Sequence, residues 1–186
     1  MDPENQKFNP FAKFFHWVMA LLIIFQIPLA LYMIKLPLSP DKFGKYALHK
    51  SIGICLLALI ALRLAWKLIK KHPPLPSDMP RKEQLLAHAT HGVLYLIIFG
   101  LPITGWISSN AANFPVSVFG VIDLPSLVQP NKELHYLMEG IHKYIGYVLI
   151  ALISIHVFAA FYHHFARKDN VLLSMLPWAK LRKKNL

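Results

Sequence analysis

The stretch HKYIGYVLIALISIHVFAAFYHH, residues 142–164, decides how the chain folds. From Tyr144 to Ala166 it carries no charged residue. About 20 mostly apolar residues are enough to cross a bilayer as a helix. His142 and His156 stand 14 residues apart in it. That is close to four helical turns, about 21 Å along the axis, so the two rings project from nearly one face. An ionisable side chain on an apolar membrane helix is costly and by default points to function.

Three more apolar runs lie upstream: Phe14 to Ile34 without charge, Tyr46 to Trp66 with only Lys50 and Arg63 near its ends, and the uncharged Gln84 to Ala112, whose Pro102 is expected to kink it. The pattern predicts helices over about 14–34, 46–66, 84–112 and 140–166. Of the 186 residues, 55% are hydrophobic and only 16% charged, with a mean hydropathy of +0.43. A soluble domain carries about 25% charge, so the shortfall together with the long apolar runs rules out a disordered chain and argues against a soluble globule. No boundary or low-complexity segment interrupts residues 1–186. The expectation is one all-α domain, an integral membrane four-helix bundle running up-down-up-down. The first apolar run is too long for a cleaved signal peptide and lacks a small-residue cleavage site. Residues 113–134, with Pro115, Pro125 and Pro130, read as a cap lying on the bundle, and HPPLPSDMP at 72–80 reads as a stiff connector.

Charge sets the orientation. With both termini and the 63–83 loop on one side, the other side holds only Lys35, Lys42, Lys45, Lys50, Lys132 and Lys143, against fourteen lysines and arginines. The positive-inside rule then makes both termini cytoplasmic. This bias accounts for the net charge of +11. Basic residues scattered over loops are not a nucleic-acid face. The lone Cys55 excludes an intrachain disulfide, cysteine-held clusters and the C-x-x-C-H attachment of a c-type haem.

The ten histidines carry the chemistry. His16 begins the first span on the cytoplasmic side, whereas His49 and His142 begin the second and fourth on the outside. His156 lies four turns deeper than His142. By depth, His49 pairs with His142 outside and His16 with His156 inside. Each pair joins two different helices, as ligands on the two faces of a flat macrocycle require. This is the arrangement of two bis-histidine haems stacked across the membrane. HKSIG at 49–53 and HKYIG at 142–146 both place glycine four residues after the histidine, on the same helical face. Gly53 and Gly146 thus leave room for a ring. A zinc site needs its ligands at one depth. A proton-conducting histidine chain usually recruits buried carboxylates, which the cores of the first, third and fourth spans lack. The competing ligand assignment replaces His16 with His88 or His91. His72 and His135 read as ordinary interfacial residues. His91 and His163 lie near the cytoplasmic side and are able to hydrogen-bond a quinone carbonyl.

Several stretches carry a resemblance over nearly the whole chain: His16-Trp17, His49 with Gly53, LLAHATHGVLYL at 85–96, LPITG at 101–105, HKYIGY at 142–147 and HHFARKDNVLLSMLP at 163–177. On these the chain resembles the bacterial cytochrome b-561 family of small four-helix dihaem membrane proteins. It is more closely similar to the superoxide:ubiquinone oxidoreductases, the superoxide oxidases. The resemblance implies two haems b with His16, His49, His142 and His156 as axial ligands, and His91 and His163 as quinone contacts.

The reaction it implies is oxidation of superoxide to oxygen on the periplasmic side, with electrons passing through both haems to ubiquinone on the cytoplasmic side. Lys50 and Lys143 directly follow the two outer ligands, with Lys42 and Lys45 just upstream. They are expected to steer a small anion inward. Asp41, Asp123, Glu133 and Glu139 nearly cancel the positive charge of that side, so the steering is local. The same lysines also fit as snorkelling helix ends or as partners of haem carboxylates. Two other functions fit the residues. In one, quinol is oxidised inside and a periplasmic redox protein is reduced at the 107–134 loop. In the other, the protein is a non-catalytic membrane anchor.

Overall fold

The computed structural model describes residues 7–70 and 79–182. His72, Lys71, Lys183, Lys184 and most of the 72–80 connector lie outside the described residues. Four long helices dominate: α1 (Pro10–Met33), α2 (Pro40–Ile69), α3 (Arg81–Ala111) and α4 (Lys132–Tyr162). A π-helical segment (His163–Arg167) continues α4, and a short α5 (Val171–Met175) follows. All four long helices are long and apolar enough to cross a membrane.

Each long helix begins before its apolar run, because its start signals sit outside the apolar stretch. Asn9 accepts from the Phe11 amide at 2.9 Å, with Pro10 in the first helical position. Ser39 caps α2 through the Lys42 amide at 3.3 Å, and Pro40 follows it. Asn131 caps α4 through the Leu134 amide at 3.0 Å. These are ordinary N-cap and N1 preferences. The consequence for the site is that His142 and His49 do not open their helices; each stands two to three turns inside. Helix α3 continues through Pro102 without interruption.

Among the long helices, the closely packed pairs are α1 with α2, α2 with α3 and α3 with α4. A core of Met19, Ile23 and Leu29 from α1 against Ile52, Leu56 and Ile60 from α2 fills one half, with Tyr95, Ile98 and Ile153 flanking it. Leu21, Ile24, Leu62, Leu96 and Phe158 remain exposed on the outer faces, where acyl chains rather than water are their natural neighbours.

The chain is not purely helical. Between α3 and α4, β1 (Ser117–Val118) and β2 (Ile122–Asp123) form a small antiparallel hairpin. Its turn uses positive φ at Phe119 and Gly120. The hairpin belongs to the expected cap, which is fastened to the bundle. Val116 is 1% exposed. Ser51 donates to Ser117 O at 3.2 Å and accepts from the Phe119 amide at 2.9 Å. Asn110 Oδ1 accepts from the Leu127 amide at 3.0 Å. At the opposite end, residues 174–176 close over the start of α1. Ser174 O accepts from the Phe8 amide at 3.2 Å, Met175 O from the Trp17 indole at 3.0 Å and Leu176 O from the Lys13 ammonium at 2.9 Å.

Candidate functional site

Two histidine couples meet across helices at separate levels. The rings of His49 (α2) and His142 (α4) have centroids 6.1 Å apart. Those of His16 (α1) and His156 (α4) are 6.2 Å apart. Helix α4 supplies one ring to each couple, four turns apart. It does so across a side where it is not closely packed against α1 or α2.

These distances fit a metal ion held between the rings. Imidazole nitrogen binds a first-row metal at about 2 Å, so two rings on opposite sides of one ion have their centres about 6 Å apart. No cluster of three or more metal-ligating side chains occurs among the described residues. Two ligands per ion leave the remaining positions to a macrocycle. The glycines fit as well. A Cβ on Gly146 would meet no atom within 4 Å, and one on Gly53 only Gln26 Nε2 at 3.8 Å.

Hydrogen bonds decide which nitrogen is free. His142 Nδ1–H donates to Leu101 O at 2.9 Å, with the Thr104 hydroxyl 3.1 Å away. Its Nε2 therefore keeps a lone pair, the form in which a histidine binds metal. Pro102 and Gly105 belong to the same segment. A Cβ on Gly105 would stand 3.0 Å from His142 Cε1 and 3.1 Å from its Nδ1. The LPITG motif is thus a seat for the His142 ring. Its sequence showed the motif but not this purpose. His49 Nδ1 is buried without a partner, and Gln26, bound to His49 O at 2.7 Å, leaves its own Oε1 unpartnered.

The His16–His156 end holds more than two rings. His91 (α3) lies 5.4 Å from His156, centroid to centroid, and its Nδ1–H donates to Ala87 O at 2.7 Å. Arg63 Nη1 lies 3.2 Å from His16 Nδ1. His91 was already a candidate from the sequence, as a competing ligand and as a quinone contact; Arg63 was not. Arg63 is only the last charge of an apolar run there, and nothing local says which way it turns.

His163 turns to Asp169, not to His91. Its Nδ1–H donates to Asp169 Oδ2 at 2.6 Å, and both side chains are mostly buried. The π-helical turn of 163–167 and the left-handed Lys168 (φ 56°) bring Asp169 back onto the helix it follows. Arg167 joins Asp169 at 3.5 Å to Glu83 of α3 at 3.0 Å. Asp169 is a site residue that the sequence reading passed over, although it stands in the motif at 163–177.

The two lysines differ in setting. Lys50 donates to Pro115 O at 2.9 Å and to Ser109 Oγ at 3.3 Å, holding the cap. Lys143 is exposed. His135 is a structural residue, with Nδ1 3.1 Å from both Ser108 O and Ser108 Oγ.

Comparison with known proteins identifies the family. The family model for prokaryotic cytochrome b561 matches residues 7–178. Cytochrome b561 homolog 2 of Escherichia coli (strain K12) is 34% identical over 173 residues, covering 92% of each chain. The probable superoxide oxidase CybB of Yersinia pestis is 31% identical over 180 residues, 93% of this chain and 97% of that one. Cytochrome b561 homolog 1 of Escherichia coli (strain K12) is 33% identical over 135 residues, 71% and 74% of the two chains. The chain therefore belongs to the prokaryotic cytochrome b561 family of membrane electron-transfer proteins that bind b-type haem.

Proposed function

We propose that this protein is a superoxide:ubiquinone oxidoreductase of the bacterial inner membrane, folded as a single up-down-up-down bundle with both termini in the cytoplasm. The observation that carries the proposal is the pair of interhelical histidine couples at two levels, 6.1 and 6.2 Å between ring centres. A relative named as a probable superoxide oxidase, matched over 93% of this chain, supports the choice of reaction. The sequential packing of α1 to α4 supports the up-down order, and the lysine and arginine bias supports the orientation.

His49 and His142 would hold an outer haem b, and His16 and His156 an inner one. When bound, the two haems supply a one-electron carrier at each level of the bilayer. The balanced reaction is two superoxide anions, one quinone and two protons giving two oxygen molecules and one quinol. Lys143, and Lys50 where it is not engaged by the cap, raise the local concentration of the anionic donor. Leu101 O and Thr104 keep His142 in one tautomer and one orientation. Asp169 accepts from His163 Nδ1–H and fixes the ring, which leaves Nε2 as the nitrogen able to exchange a hydrogen bond or a proton with a quinone carbonyl. His91, beside His156, offers its Nε2 to the same region.

Rapid mixing of the purified, quinone-loaded protein with superoxide tests the reading. Haem reduction near the diffusion limit, slowed by salt, is the expected result. Absence of haem reduction by superoxide eliminates it and leaves quinol oxidation toward a periplasmic protein as the direction of flow.

A further inference from the structure

Arg63 holds a position that conflicts with iron binding by His16. Its Nη1 lies 3.2 Å from His16 Nδ1. A guanidinium only donates hydrogen bonds and stays charged. The contact therefore occupies the Nδ1 lone pair and leaves the ring proton of a neutral imidazole on Nε2. A metal-bound imidazole has the opposite distribution: one nitrogen gives its lone pair to the metal and the other carries the proton. Arg63 is thus unable to donate to His16 while His16 binds iron. Binding through either nitrogen displaces it.

The displaced guanidinium needs another acceptor. Among the described residues no carboxylate pairs with Arg63. Its other contact is the face of the Tyr95 ring, 5.5 Å from the centroid. Lys67, one turn further along α2, lies over the same ring at 4.7 Å. Helix α2 therefore sets two cations beside one aromatic face, adjoining the His16–His156 couple. A permanent charge on a membrane-spanning helix requires a counter-charge. A b-type haem carries two propionate carboxylates along one edge. The chemistry matches in sign, number and neighbourhood.

We propose that Arg63, with Lys67 beside it, binds the propionate carboxylates of the inner haem. The proposal rests on the reading of His16 as an inner ligand. Its consequence is electrostatic. Reduction removes one positive charge from the iron centre, and a neighbouring cation favours the reduced form. Arg63 raises the potential of the inner haem and thereby draws electrons toward the quinone side.

The test is a spectroelectrochemical titration of the purified dihaem protein and of Arg63→Gln and Arg63→Lys. The inner potential is identified as the one that survives in His142→Ala. The expected result is a shift of the inner potential to more negative values in Arg63→Gln, with the outer potential unchanged and both haems still low-spin. Arg63→Lys restores most of the shift. Loss of the inner haem alone from Arg63→Gln, with its recovery in Arg63→Lys, also supports the clamp, since the retained outer haem reports an intact fold. An unchanged inner potential in Arg63→Gln with both haems bound overturns it, as does Arg63→Lys behaving like Arg63→Gln. Failure of the underlying ligand reading has a different signature: His16→Ala retains two low-spin haems while His91→Ala loses one.

Discussion

Gly105 and His142 touch so closely that a side chain between them would have to push the ring aside: a Cβ on Gly105 would stand 3.0 Å from His142 Cε1. The atom met is part of a ring already held by Leu101 O at 2.9 Å, so it has little freedom to withdraw. Helix α3 thus presents a backbone groove to an imidazole of α4. This is a demand on sequence that neither helix states by itself.

Gly105→Ala should displace the His142 ring and weaken the outer haem while leaving the inner one. Overpacking of this kind costs about 1–3 kcal/mol. Haem content and the low-spin spectrum of the purified variant check it. Two fully occupied, unaltered haems would show that the ring tolerates the methyl group.

The two couples should empty independently. His49→Ala or His142→Ala should lose only the outer haem, and His16→Ala or His156→Ala only the inner. The haem-to-polypeptide ratio measured by pyridine haemochrome should fall from two to one in each variant. Retention of both low-spin haems in any of them refutes the assignment of that ligand.

Asp169→Asn should leave both haem spectra intact and slow quinone reduction about 10–100-fold, the usual effect of removing a carboxylate that orients a functional histidine. The substitution keeps the shape but replaces the carboxylate that accepts from His163 Nδ1–H at 2.6 Å with a weaker acceptor, so the ring is held less firmly. Steady-state quinol formation measures it. His163→Ala should have a similar effect, and an unchanged rate in both would remove this pair from the quinone site.

Lys143→Glu and Lys50→Glu should part company. Exposed Lys143 acts only through its field, so its reversal should lower the superoxide rate most at low salt and little at high salt. Lys50 also donates to Pro115 O at 2.9 Å. Its reversal should add a salt-independent loss and make the 112–131 cap more susceptible to proteolysis. Stopped-flow rates across ionic strength, with limited proteolysis alongside, separate the two. A Lys143→Glu rate equal to the parent at low salt would dismiss steering at that residue.

The four apolar helices and the spacing of His142 and His156 were open to reading because both are local properties. Charge-free length reports a membrane span, and the helical repeat converts a separation in sequence into a face and a depth. The histidine couples followed from those depths, with His49 facing His142 and His16 facing His156. The helix starts extended beyond the apolar runs for an equally local reason, the caps at Asn9, Ser39 and Asn131. The two-residue strands of the cap went unread because so short a hairpin is held by its contacts to Ser51, not by strand propensity.

What the chain order left undecided was settled by contacts between segments far apart in sequence. The guanidinium against His16, the carboxylate behind His163 and the glycine under His142 all depend on how helices turn about their axes. That rotation is set by side-chain packing between partners such as α3 and α4, and by which backbone carbonyls remain free to accept. Hydropathy and periodicity along one helix carry no record of either.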